Sequence, residues 1–128
     1  MRYARIYCDA DGTSHFEDLD IELQPVAYAP PAPPFGVSEA IPASNVVLAS
    51  FRTGWFGDWH PTPRRQLYFS LSGRLEVGVS DGEVRILEPG DMVLVEDVMA
   101  PGHTTRVAGD EPSTGVFIHL ADEEEDTA

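Results

Sequence analysis

The chain has 128 residues, 8 Lys plus Arg against 22 Asp plus Glu, and a formal net charge of −14. That length suits one domain with one core, and 42% hydrophobic residues are enough to build it. The charge excludes nucleic acid and anionic membranes as partners, because phosphate contacts need clustered cations.

Two short strands are expected first, at 2–8 and 16–23, around the turn "DADG", with Phe16, Leu19, Ile21 and Leu23 on the apolar side of the second. No apolar run follows the N-terminal arginines, and no stretch is long enough to span a bilayer, so neither a signal peptide nor a membrane segment is expected. Cys8 is the only cysteine, which rules out an internal disulfide and makes a reducing, cytoplasmic setting the expectation. Next comes "PVAYAPPAPPFG", residues 25–36, with five of the 11 prolines. Each proline removes a backbone donor and fixes φ, so an extended arm is expected, neither sheet nor helix, with Tyr28 and Phe35 to bury against the body of the domain or a second subunit.

From Asn45 onward the pattern is a series of short strands, at 45–51, 66–72, 74–80, 83–88, 91–96, 103–107 and 114–120. Turn sequences separate them: "SG" at 72–73, "SDG" at 80–82, "EPGD" at 88–91 and "AGDEP" at 108–112. Strands at this spacing indicate an all-β, antiparallel sandwich or barrel. The end of the chain, "ADEEEDTA" at 121–128, has no apolar residue beyond its alanines and is expected to be a disordered acidic tail.

Strand 66–72 alternates, with Leu67, Phe69 and Leu71 on one face and Gln66, Tyr68, Ser70 and Ser72 on the other. The first face is core; the second is either solvent or the lining of a polar cavity. "MVLVE" at 92–96 is apolar on both faces, which fits the interior strand of a closed or two-layered structure.

These residues resemble a known family, the cupins. The cupin first motif runs glycine, five residues, histidine, one residue, histidine, three or four residues, glutamate, six residues, glycine. Gly54, His60, Thr62, Gln66 and Gly73 fall at those spacings. "PGD" at 89–91 and "APGHTTRV" at 100–107 resemble the second motif, with His103 at its last histidine. The resemblance covers roughly residues 45–120.

It implies a jelly-roll β-barrel, a double-stranded β-helix, with the pocket inside. Residues 45–120 would form the barrel, and 1–44 the strands and arm packed on it or on a partner subunit, the latter as a homodimer. It also implies that Gln66, Tyr68 and Ser70 face the pocket. The family's three-histidine, one-glutamate ligand set for Fe, Mn, Zn, Ni or Cu corresponds here to His60, Thr62, Gln66 and His103. Gln serves as a ligand in some metal-binding cupins, including manganese enzymes that resemble hydroxynitrile lyases. A divalent metal held by His60, Gln66 and His103 would nonetheless have no anionic ligand and bind weakly.

Without a metal, His60 and His103 facing one another could act as general acid and base, with Tyr68 holding a substrate oxygen. Trp59, among the aromatics Trp55 and Phe56, could stack on a substrate or cap the core. Arg64 and Arg65 could bind a substrate carboxylate at the pocket mouth or pair with the chain's own acids, and Arg106 has the same two readings. His15 reads as a surface histidine and His119 as a packed interior one.

Three function classes stand: a cupin-type enzyme acting on a small organic molecule (lyase, isomerase, cyclase or dioxygenase), a metal-free binding or sensing module, and a structural dimer with a vestigial pocket. Polar, titratable groups inside a barrel are costly, which tilts the reading toward an enzyme.

Overall fold

The computed structural model describes residues 1–121 and is built of strands alone. The strands are β1 (Arg2–Cys8), β2 (Ser14–Asp20), β3 (Gln24–Val26), β4 (Phe35–Val37), β5 (Ala43–Phe51), β6 (Phe56–His60), β7 (Gln66–Ser72), β8 (Arg74–Val79), β9 (Val84–Leu87), β10 (Met92–Val95), β11 (His103–Ala108) and β12 (Ser113–Leu120). They form a six-stranded sheet ordered β2-β1-β10-β7-β12-β5, a four-stranded sheet ordered β6-β11-β8-β9, and the separate pair β3-β4. All pairings are antiparallel except β1 with β10. Two sheets facing one another over a shared interior make the jelly-roll barrel.

Period-two alternation places the core. Inside the barrel, Ile6, Val77, Val79, Val93, Val95 and Val107 are each at most 7% exposed. Burial of each such side chain stabilises the fold by about 1.5–3 kcal/mol. "MVLV" in β10 is buried on both faces, as its composition requires: Val93 and Val95 enter the barrel core, while Met92 and Leu94 join Leu67 and Leu120 in a second cluster on the outer face of the six-stranded sheet. Leu67 and Phe69 therefore pack outside the barrel, Leu71 on the same face is exposed, and the polar-looking face of β7 is the inner one.

The structure corrects the sequence reading in several places. The N-terminal strands β1 and β2 are integral members of the six-stranded sheet, and Ile6 belongs to the barrel core. The proline-rich segment contains a short hairpin, β3 paired with β4, where an arm outside any sheet was expected. Tyr28 and Phe35 pack on each other at a tilt of 57° with centroids 5.7 Å apart, and both are exposed instead of buried against the domain. Strand β6 was read only as a stretch of aromatics before His60. Residues 122–128, most of the acidic tail, lie outside the described residues.

Candidate functional site

Loops at one end of the barrel bring His60 and His103 together. His60 ends β6, His103 begins β11, and the two are directly opposite in the antiparallel pairing. The approach depends on Gly102, which has φ +76 and whose missing side chain leaves room for the His60 carbonyl and the Pro61 nitrogen. An L-residue would be strained there and would collide with that backbone. Ser14 Oγ donates to the Gly102 carbonyl at 2.6 Å, and the Thr62 N–H donates to the Asp97 carbonyl at 3.0 Å, so both loops are fixed. The imidazole centroids are 4.5 Å apart.

Their protonation pattern follows from their partners. His60 Nδ1 is 2.6 Å from the Asp58 carbonyl, which can only accept, so Nδ1 carries the proton. His103 Nδ1 is 2.5 Å from Oδ2 of Asp97, a carboxylate with no exposed surface, and donates to it. Each ring thus has Nε2 as its remaining nitrogen, with no protein partner among the described residues. The other Asp97 oxygen, Oδ1, is buried and unpaired.

Both histidines line a cavity of about 320 Å³, at the small end of ligand sites. Its walls are mostly apolar, with Val47, Phe51, Trp55, Val77, Val95 and Phe117 among them, and its polar groups include Thr62, Gln66, Thr105 and His119. His119 lies opposite Gln66 across the β7–β12 pairing. Its Nδ1 is 3.2 Å from Nη1 of Arg64, a donor only, so in the neutral ring Nε2 carries the proton, the reverse of the other two histidines.

Among the expected site residues, the structure brings His60, His103 and Gln66 to the cavity along with the Tyr68 ring. The Tyr68 hydroxyl is directed elsewhere. It is buried and unpaired, and sits over Gly115, four residues along β12 from His119, where a side chain at Gly115 would strike it. Burial pushes this phenol above its ordinary range. Ser70 is buried with an unpaired hydroxyl and is not part of the lining, because it faces the Gly115 end of β12. Trp59 is 48% exposed and outside the lining, displaced by Trp55, which packs edge-on against Phe51 at 4.9 Å. Arg65 donates to Glu96 outside the barrel, and Arg106 pairs with Glu76 on the exposed side of the four-stranded sheet. His15 bonds Asp9 and Asp81 at the surface.

The donor set does not suit a resident metal ion. Thr62 Oγ1, at the position of the family's second histidine, donates to the Arg64 carbonyl and accepts from Gln66 Nε2, which occupies it on both counts. Asp97 directs its bonded oxygen at His103 Nδ1. Two imidazole nitrogens and one amide oxygen remain, fewer than the three strong protein ligands of catalytic zinc. Among the described residues no group of three or more His, Cys, Asp or Glu is arranged to hold a metal.

Sequence reasoning missed Asp97 and the cavity role of Thr105, read His119 as a packed interior histidine, and left Trp55 between stacking on a substrate and capping the core. Asp97 follows the doubly apolar β10 and Glu96 and precedes His103 by six residues, and no local pattern separates it from its acidic neighbours.

No protein-family model matches the chain, and no curated protein does. Solved structures do. The cupin domain of Schizosaccharomyces pombe Cnp3 aligns over 89% of this chain and 77% of its own, at TM-score 0.51 and 13% identity. A cupin-like protein of Thermotoga maritima, tm1010, aligns over 59% of this chain and 55% of its own at TM-score 0.49 and 26% identity. The SPY1581 protein of Streptococcus pyogenes, of unknown function, gives 61%, 64%, 0.49 and 18%. The chain thus spans less than two thirds of the length of the last two proteins. The all-β barrel with its interior cavity defines the class, and the Cnp3 likeness gives it its name. The chain has the cupin fold.

Proposed function

We propose that the chain is an enzyme that moves a proton on a small, largely apolar organic molecule held in the barrel. The observation that supports this is the His103–Asp97 pair: a buried carboxylate fixes the proton on Nδ1 and leaves Nε2 as a base beside a second imidazole, His60, oriented in the same way. In the proposed step His103 Nε2 removes a proton from the substrate, and Asp97 holds the ring and stabilises the imidazolium that forms. The proton then passes from His103 Nε2 to a neighbouring position or to a leaving group, which gives isomerase or lyase chemistry, while His60 Nε2, which carries no proton, accepts a hydrogen bond from a substrate hydroxyl or amine. The His119 Nε2–H is a donor for a substrate oxygen that gains charge.

The test needs no known substrate. The protein is incubated in D₂O, with chelator, with a panel of small ketones, aldehydes and carboxylic acids, and deuterium is followed by proton NMR. Exchange beside a carbonyl group, lowered on the order of 100-fold or more in His103→Ala, is the expected result. Exchange that vanishes with chelator and returns with Fe, Mn, Zn, Ni or Cu would instead establish a metal held by His60, Gln66 and His103. Saturable binding without exchange would make the barrel a binding module.

We also propose a homodimer formed over β5. This strand is an edge of the six-stranded sheet, and Val46 (65%) and Leu48 (78%) are exposed on its outer face, as apolar residues that bind protein partners are. Leu48→Arg should convert a dimer to a monomer in sedimentation equilibrium; a wild-type monomer would end the proposal.

A further inference from the structure

A second cavity, of about 500 Å³, lies outside the barrel between β1, the connection from β6 to β7, and the segment after β10. Arg5, Arg64 and Arg65 line it, three of only eight cationic residues in a chain with 22 acidic ones. Among the described residues its one lining carboxylate is Glu96. Glu96 Oε1 accepts from Arg5 Nε at 2.5 Å and Oε2 accepts from Arg65 Nε. Burial works against the Glu96 charge, and the two arginines outweigh it, holding the carboxyl below its ordinary range.

One carboxylate thus fixes two guanidinium groups through their Nε edges. Among the described residues Arg5 has one further hydrogen-bond partner, Glu17, at 3.2 Å on Nη1, and lies over the Tyr7 ring at 4.5 Å. Arg64 is different: among the described residues it has no carboxylate partner, and its Nη1 donates to a neutral acceptor, His119 Nδ1. Among the described residues, three positive charges therefore line the cavity against one negative, or against two when Glu17 is counted. Where acids outnumber cations so heavily, a net positive cavity is a local reversal of the field.

The remaining walls are apolar. Pro63 and Tyr7 line the cavity, and Val98 (56%) and Met99 (48%) expose side chains there. Guanidinium groups fixed in advance suit an oxyanion, since the fork of donors matches carboxylate and phosphate oxygens and little ordering remains to be done on binding.

We propose that this outer cavity is a second binding site, separate from the barrel, for a small organic oxyanion: a carboxylate or phosphate ester on an apolar body. The oxyanion sits on Arg64 with Arg65 and Arg5 beside it, and the body rests on Val98 and Met99. Pro63 borders both cavities, and Arg64 reaches His119 in the barrel wall, so occupancy of the outer site is also felt at the His119 ring.

The 128-residue chain is titrated with phenyl phosphate, benzoate and inorganic phosphate while its amide and histidine-ring NMR signals are followed. Saturable shifts are expected at Arg64, Arg65, Val98, Met99 and the His119 ring, with phenyl phosphate or benzoate ahead of inorganic phosphate; their order identifies the oxyanion. Arg64→Gln should weaken the better probe by about 10-fold or more, the effect of losing one charge-assisted contact. Arg106→Gln, which removes a cation from the other sheet, should leave it unchanged. Shifts confined to the barrel around Thr105, no saturation at millimolar probe, or unaltered affinity in Arg64→Gln would each overturn the proposal.

Discussion

His103 and His15 both rest on carboxylates, with nearly equal distances and opposite consequences. His103 gives Nδ1 to Asp97 at 2.5 Å, with side-chain exposures of 11% and 0%. His15 gives one nitrogen to Asp9 at 2.7 Å and the other to Asp81 at 2.8 Å, with exposures between 27% and 37%. Because carboxylates only accept, His15 can serve both only as an imidazolium, and it has no nitrogen left for a ligand. It is a clamp between the β1–β2 turn and the β8–β9 turn. His103 has one nitrogen committed and one available. The chemistry of a histidine–carboxylate pair is set by what happens to the second nitrogen, and burial decides it here by admitting one carboxylate.

The sharpest way to break the buried pair is through the backbone that brings it to His60. Gly102→Ala should destabilise the fold by about 2–4 kcal/mol, combining positive-φ strain with a collision against the His60 carbonyl. Gly12→Ala, in the turn beside His15, faces only ordinary contacts at φ +85 and should cost about 1 kcal/mol from strain alone. Urea unfolding of the two variants measures the difference. Equal losses would mean that the close approach at His60 relaxes at no cost.

A smaller effect is expected from the carboxylate itself. Asp97→Asn keeps the volume, removes the charge that orients the ring, and should cost about 1–3 kcal/mol, as for a buried hydrogen bond to a charged group. Asp9→Asn, at the surface, should move the urea midpoint less. In Asp97→Asn the ring-nitrogen NMR signals of His103 should also lose their fixed Nδ1–H pattern. Unchanged signals would show that the Asp97 carboxylate does not set the tautomer.

How much of this was legible in the sequence differs between fold and site. The seven strands from β5 to β12 other than β6 could be read within a residue or two, since alternation and turn residues are local signals. Strand β6 could not, because "FGDWH" lacks a periodic apolar face and pairs only through β11. The hairpin β3–β4 was hidden because proline argues against strands, yet Pro25 lies in a short pair at the surface. In the site, His60, Gln66 and His103 were found through motif spacing. Asp97 was not, because nothing local marks a carboxylate for complete burial. Tyr68 and Ser70 were assigned to the cavity by alternation, which gives the face of a strand but not the direction of a long side chain along it. Arg64 and Arg65 were read as a pair. The structure separates them, one bonded to a histidine and the other to a carboxylate, and joins both to Arg5, 59 and 60 positions earlier in the chain.

The smallest expected effect belongs to the exposed pair, and pH is the means of isolating it. The hydrogen bond that His15 donates to Asp9, then the one it donates to Asp81, raises His15 above its ordinary value of 6.5. The bond to His15 lowers Asp9, and the Glu83 backbone N–H followed by His15 lowers Asp81, each below an ordinary value of 3.8. The Tyr7 ring, 5.5 Å away, adds no charge. A base raised on folding stabilises the fold fully below its unfolded value and loses that contribution as pH rises through the folded one. The depressed carboxylates contribute above their unfolded values and lose that contribution as pH falls. The clamp is therefore strongest between about pH 4 and pH 6.5. His15→Gln should lower the midpoint temperature relative to wild type near pH 5.5, and the gap should close as pH rises past the raised His15 value toward about pH 8.5. A gap that stays constant over that range would mean that His15 acts through shape or neutral hydrogen bonds, and the contrast with His103 would then rest on burial alone.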